Sequence, residues 1–254
     1  MKTKILLASI IALLWASSAS AIVNIENQKA LWPKKGTSGA LSLSFSQTEG
    51  NTESLDADFS SKIDFVGDEN RSFIIVKRYY AETSNLASDD TSFAHLRFIF
   101  SYHNWLAYEA FLQAGRSPFL SQTLRQLAGG GLRFLVAGSN ASYAQFLGIG
   151  AFLEQEKYDD GSTREDILLT RANIYWRFKL AEDKDKFSLN NTVYFQPALI
   201  DAENYRLSND FKWEYKATDT LSFFLSLAWK KDNQPWGSNQ AVDSTVKNGL
   251  KYSF

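Results

Sequence analysis

Along most of this chain, residue character alternates with a period of two. Between positions 55 and 65, Leu55, Ala57, Phe59, Ile63 and Phe65 fall on one side with Ser61, and Asp56, Asp58, Ser60, Lys62 and Asp64 on the other. Leu168, Thr170, Ala172, Ile174, Trp176, Phe178 and Leu180 separate in the same way from Leu169, Arg171, Asn173, Tyr175, Arg177 and Lys179. Tyr205, Leu207, Phe211, Trp213 and Tyr215 oppose Arg206, Ser208, Asp210, Lys212, Glu214 and Lys216. Leu221, Phe223, Leu225, Leu227 and Trp229 repeat the pattern. A helix groups residues three and four apart, so it would mix these two sets, whereas a strand keeps them apart.

Turn signals divide the chain into twelve such runs, expected near 37–48, 52–66, 70–83, 90–102, 105–116, 122–136, 142–156, 164–180, 185–198, 204–217, 220–231 and 242–254. In 70–83 the consecutive apolar residues Phe73 to Val76 blur the parity. The runs are about twice the usual five or six residues of a soluble strand. Connections alternate in length. Tight turns are expected at Gly67–Glu69, His103–Asn104, Gly138–Asn140, Glu182–Lys184 and Thr218–Asp219. Longer polar loops are expected at Ser84–Asp89, Ser117–Ser121, Tyr158–Thr163, Leu199–Glu203 and Asp232–Ala241.

Long, evenly spaced, two-faced strands with short turns at one end and longer loops at the other describe an all-β, antiparallel, up-and-down barrel of about twelve strands that crosses a membrane. In hydrocarbon every backbone N–H and C=O must be paired, which leaves helices and closed barrels as spanning structures. After residue 21 no segment offers the roughly 20 apolar residues a spanning helix needs. Aromatics near strand ends (Trp105, Tyr158, Trp176, Tyr194, Tyr205, Trp229) are expected in interfacial girdles. The last run, 242–254, is expected to close the barrel against the first. Leu250, Tyr252 and Phe254 match the alternating, Phe-terminated end common among outer-membrane proteins, which makes barrel-assembly machinery an expected partner.

The N-terminus fixes the compartment. Met1–Lys4 is basic, Ile5–Ala16 is apolar and Ala19–Ala21 offers small residues for cleavage. Residues 1–21 read as a signal peptide, 22–36 as a periplasmic segment and 37–254 as the barrel. The expected address is the outer membrane of a Gram-negative cell, in contact with its lipid.

Composition narrows the chemistry. The chain has no cysteine, so thiol nucleophiles, disulfides and thiolate metal sites are excluded. Without Lys2 and Lys4, 25 basic residues face 28 acidic ones, a balance that does not suggest nucleic acid. His95 and His103 are the only histidines, too few for an evident metal site or catalytic triad. Gly129–Gly131 has no following Lys-Ser/Thr and no helix, so it reads as a strand bend or a place where luminal side chains need room rather than a phosphate loop. The acidic stretch Glu154–Gly161 reads as a solvated loop, since it lacks the ligand spacing of a calcium loop. No cofactor and no enzymatic activity are expected.

Several stretches resemble the YdiY-like family of salt-induced outer-membrane proteins. They are Gly39–Ser42 leading to Thr48–Ser54, Leu124–Arg133 with its arginines and glycines, and Lys231-Asp232, Pro235, Asp243 and Asn248–Phe254 near the end. The similarity runs over about residues 36–254. It implies a barrel in the outer membrane and a link to osmotic stress, and it carries over no catalytic residue.

The charged face must be the luminal one, because each charge set against lipid at mid-bilayer would cost about 2–4 kcal/mol. Parity assigns to it Lys62, Arg97, Arg125, Arg133, Arg171, Arg177, Lys179, Arg206, Lys212, Lys216, Lys230, Lys247 and Lys251. The acids assigned there are Asp56, Asp58, Asp64, Glu109, Asp210, Glu214 and Asp243. The site candidates are Arg97, Arg125, Arg133, Arg171, Arg177, Arg206, Lys212 and Lys247. Two readings stay open: ion pairs that plug a narrow barrel, or a passive channel for small anionic solutes. Two other classes remain as rivals, a lipid-acting outer-membrane hydrolase and a soluble periplasmic β-barrel binder.

Overall fold

A computed structural model of the chain describes residues 35–48, 54–83, 86–138, 142–182, 186–218 and 221–252. The expected signal peptide and nearly all of the 22–36 segment lie outside these residues, as do Ser253 and Phe254.

The described chain is a meander of twelve antiparallel strands. They are β1 (Gly36–Thr48), β2 (Ser54–Val66), β3 (Asn70–Thr83), β4 (Leu86–His103), β5 (Leu106–Ser117), β6 (Gln122–Ala137), β7 (Tyr143–Asp159), β8 (Arg164–Glu182), β9 (Phe187–Pro197), β10 (Tyr205–Lys216), β11 (Leu221–Asp232) and β12 (Val242–Tyr252). Each pairs with its sequence neighbour, in the order β1 to β12. One 3-10 turn, Pro118–Leu120, follows β5; Pro starts it and Ser121, at φ 55°, ends it. Among the described residues no helix is long and apolar enough to cross a membrane.

Two boundaries differ from expectation for the same reason. β4 begins at Leu86 rather than near 90, and β7 continues to Asp159 through the acidic stretch taken for a loop. In each case a neighbouring strand pairs with the added residues: Glu82↔Ala87 and Ala81↔Asp89 for β4, Glu156↔Ile167 and Tyr158↔Glu165 for β7. Pairing overrides local polarity when both strands extend equally far.

The sheet curls until distant strands touch. Arg206 on β10 reaches Glu154 on β7 at 2.8 Å, and the Tyr175 hydroxyl on β8 donates to Glu109 on β5 at 2.7 Å. Lys77 on β3 interacts electrostatically with Lys247 on β12 and Asp210 on β10. The expected β1–β12 ladder does not appear among the described residues.

Burial is the inverse of a soluble protein. Leu41, Leu43, Leu112, Leu153, Leu168 and Val246 on the outer face are half exposed or more. Arg97, Arg171 and Arg177 on the inner face are only 1–2% exposed. Near the short-turn end, outward aromatics pair in a row: Trp105 with Phe134 at 6.2 Å, Tyr143 with Phe178 at 6.0 Å, and Phe187 with Trp213 at 6.5 Å. Trp176 joins this row, 38% exposed and 6.0 Å from Phe178. Tyr158 and Tyr194, expected in a girdle, point inward and are buried, because each lies on the parity of the charged face of its strand.

Candidate functional site in the barrel interior

The interior of β4–β10 is built in layers, each supplied by the inward parity of consecutive strands. At the long-loop end β6 begins, β7 ends and β10 begins, so Arg125, Glu154, Glu156 and Arg206 meet there. Glu154 Oε1 accepts from Arg125 Nη2 at 2.6 Å and Arg206 Nη1 at 2.8 Å, and its Oε2 accepts from Arg171 Nε at 2.7 Å. Glu156 accepts from Arg206 Nη2 at 2.9 Å, Arg125 Nε at 3.3 Å and Gln122 Nε2 at 3.0 Å. Arg206 Nε donates to Asp232 on β11 at 2.8 Å. Arg171 also donates to the Asn204 carbonyl at 3.0 Å. Removing one member of such a group leaves buried charge unpaired, at a cost of about 3–5 kcal/mol.

A second layer lies towards the short turns. Glu109 accepts from Arg97 Nη1 at 3.1 Å, Arg133 Nη1 at 3.3 Å and the Tyr175 hydroxyl. The Arg133 guanidinium also lies 4.0 Å from the Phe146 ring centre. Glycine makes this layer fit: a Cβ on Gly148 would stand 2.0 Å from the Tyr175 ring. Gly129 similarly clears Phe111 and Phe152, as expected of a glycine run that makes room.

Between the layers lies an apolar waist made of two clusters, Phe73, Ile75, Phe93 and Ile99 in one and Phe111, Leu127 and Phe152 in the other. His95 sits among three of these rings, at 6.0 Å from Phe73, 6.2 Å from Phe93 and 6.1 Å from Phe111. A cavity of about 40 Å³ remains beside the waist, with Arg97 from one layer and Arg125 from the other in its wall. That is room for about three waters.

At the long-loop end the β11–β12 loop reaches neighbouring loops and strands. Trp236, in the β11–β12 loop, stacks on Tyr158 at 4.9 Å and donates to Glu165 at 2.7 Å. Asn239 donates to the Leu120 carbonyl at 3.2 Å, and Asn233 to that of Glu203 at 2.8 Å. The turn after β7 closes on itself. Asp160 accepts from the Ser162 hydroxyl at 2.7 Å and the Thr163 backbone N–H at 2.7 Å, which holds its carboxyl below the ordinary aspartate range. Among the described residues no group of three His, Asp or Glu is set to hold a metal ion.

Six of the eight candidates thus converge on the interior: Arg97, Arg125, Arg133, Arg171, Arg177 and Arg206 are all at most 8% exposed. Two do not. Lys212 has a half-exposed side chain and reaches Glu214 at 3.1 Å, and Lys247 is exposed on β12. Leu250 faces outward opposite Phe223, 63% exposed, while the Tyr252 side chain and Phe254 lie outside the described residues. The central acids, Glu154 and Glu156, were absent from the expected luminal set. Their signal was present: Phe152, Glu154, Glu156 and Tyr158 continue the inward parity of the 142–156 run. Reading Glu154–Gly161 as a solvated loop hid them, although the expected run 142–156 already contains both.

Fold and interior define a twelve-stranded up-and-down β-sheet curled around an ion-paired arginine–glutamate core. Residues 41–254 match the family model described as "Protein of unknown function, DUF481", and the chain belongs to that family, the one its YdiY-like motifs indicated. No curated protein matches the chain.

Proposed function

We propose that this protein is an outer-membrane β-barrel whose role is mechanical, stabilising the envelope under osmotic stress, and that its lumen is sealed rather than conducting. The single observation that carries the reading is the inverted burial: leucines and aromatics outside, six arginines inside. An outer apolar band needs lipid, and an ionic interior is tolerated because it is paired within. The outward aromatic row near the short turns suits a membrane–water interface. On this reading residues 1–21 are cleaved on export and the C-terminal strand is read by the assembly machinery. The stress link comes from the family resemblance.

The sealed lumen rests on the two ion-paired layers, the waist and the Trp236 cover, and it takes precedence over passage of small anionic solutes. The protein acts without catalysis and without nucleic acid. His95 among phenylalanine rings suits packing better than hydrolysis. Planar-bilayer recording of the folded protein tests the function. No single-channel steps are expected; steady anion-selective steps would restore the channel reading. Fractionation tests the location. A heat-modifiable band extracted only by detergent is expected, and release by osmotic shock would favour a soluble periplasmic binder.

A further inference from the structure

We propose that the outer face of β3–β5, at its long-loop end, binds the phosphate of a membrane-lipid headgroup. The inference rests on the membrane reading above and adds a ligand to it. Three outward positions form one cross-strand row there: Arg78 on β3 pairs with Ser92 on β4, and Ser92 with Arg116 on β5. This row ends the apolar band on all three strands at once. The next outward row towards the short turns is Val76, Ala94 and Ala114, and the one after it Ile74, Leu96 and Leu112. Val76, Ile74 and Leu112 are 38%, 39% and 53% exposed. A lipid whose chains cover those two rows brings its headgroup level with the arginines.

The arginines are held in place but not used up. Asp90, two positions along β4 from Ser92, accepts from Arg78 Nε at 3.1 Å and from Arg116 Nη2. Neither guanidinium makes another hydrogen bond or ion pair among the described residues. Arg78 therefore keeps both Nη groups for a ligand, and Arg116 keeps Nε and Nη1. Their side chains are 60% and 45% exposed. The one acid on β3, Glu82, accepts from the Tyr80 hydroxyl at 2.7 Å and pairs with neither arginine. One carboxylate between two guanidiniums leaves the triad with net positive charge, and an exposed ion pair is too weak to shut out a phosphate. Neighbouring strands lie about 4.8 Å apart, so the two arginine backbones stand about 10 Å apart with Ser92 between them. A phosphate in that gap takes paired N–H donors from each side and the Ser92 hydroxyl from the middle. Elsewhere on the outer face the charges form closed pairs, Lys157 with Asp166 at 3.4 Å and Arg164 with Asp159 at 2.8 Å.

The test uses the full mature protein folded in detergent, with native mass spectrometry to follow bound lipid. The probes are a diglucosamine glycolipid carrying two phosphates, the same lipid with its phosphates removed, and inorganic phosphate. The unaltered protein should hold the phosphorylated lipid about tenfold or more tightly than the phosphate-free one. The double variant Arg78→Gln, Arg116→Gln should lose that preference and keep the weaker binding. Lys157→Gln, in a closed pair on the same face, should behave as wild type. Heat-modifiable migration shows that each variant is folded, and the comparison of lipids on the unaltered protein needs no variant. Equal retention of the two lipids, an undiminished preference in the double variant, or inorganic phosphate held as tightly as the lipid would each overturn the assignment. The membrane reading fails separately, by release of the protein in osmotic shock.

Discussion

The interior of β4–β10 and that of β1, β2, β11 and β12 share one strand geometry but not one solvent. On the first side, arginines are wholly buried and each glutamate serves two or three guanidiniums. On the second side, Lys247, Asp243 and Asp58 are exposed although all belong to the inward parity, and of the charged residues only Asp64, near the β2–β3 turn, is buried, with Lys62 and Arg71. The difference follows from side-chain reach and geometry. Arginine's planar fork bridges several carboxylates at once, so each contact fixes the next, whereas lysine's point charge keeps its water. Bulky luminal aromatics then fill the arginine side and exclude solvent, while small serines on β1 leave the seam side loose. Alternation makes a strand two-faced, but the identity of the luminal residues decides whether that face becomes a core.

Several substitutions would break or sharpen this contrast. The largest effect is expected at the hub. Glu154→Ala removes the carboxylate that Arg125, Arg171 and Arg206 share, leaving Glu156 to hold Arg125 and Arg206, and should cost about 3–5 kcal/mol, seen as a lower urea midpoint in liposomes. Asp243→Ala on the loose side should change the midpoint by under about 1 kcal/mol. Equal losses at the two sites would abolish the distinction. Next, Gly148→Ala drives a methyl into the Tyr175 ring and should cost about 1–3 kcal/mol, whereas Gly249→Ala, whose Cβ would lie 3.1 Å from Phe224, should be milder. A third, smaller loss concerns the cover. Trp236→Ala removes the stack on Tyr158 and the bond to Glu165, worth about 1 kcal/mol, and should increase protease cutting in residues 233–241.

The smallest effect tests the exposed turn. Asp160 has a lowered carboxyl pKa, so its stabilisation is complete above the ordinary aspartate value and fades as pH falls through the lowered one. The melting difference between Asp160→Ala and wild type should therefore be small at pH 7 and vanish in strong acid. A difference that grows on acidification would contradict the hydrogen bonds drawn there.

Much of this architecture is legible without coordinates, because period-two alternation is a local property. The parity of Arg171 and Arg177, the inward direction of Arg97 and Glu109, and the space-making glycines all follow from neighbours along the chain. Other features are not local. Tyr158 and Tyr194 resemble girdle aromatics by position, and their burial depends on which parity their own strand turns inward. Glu154 and Glu156 look like loop residues until β8 pairs with them.

Sequence alone therefore determined the strand count, the meander order, the two faces of each strand and the family. The first three are set by residues that are adjacent or two apart, and the family by motifs spread over about residues 36–254. Only the tertiary structure decided which luminal charges meet across the curl, that Lys212 and Lys247 stay in water while six arginines do not, and that β1 and β12 remain unpaired among the described residues. Contacts such as Arg206 with Glu154 join residues 52 positions apart, and no local pattern encodes a distance across a lumen.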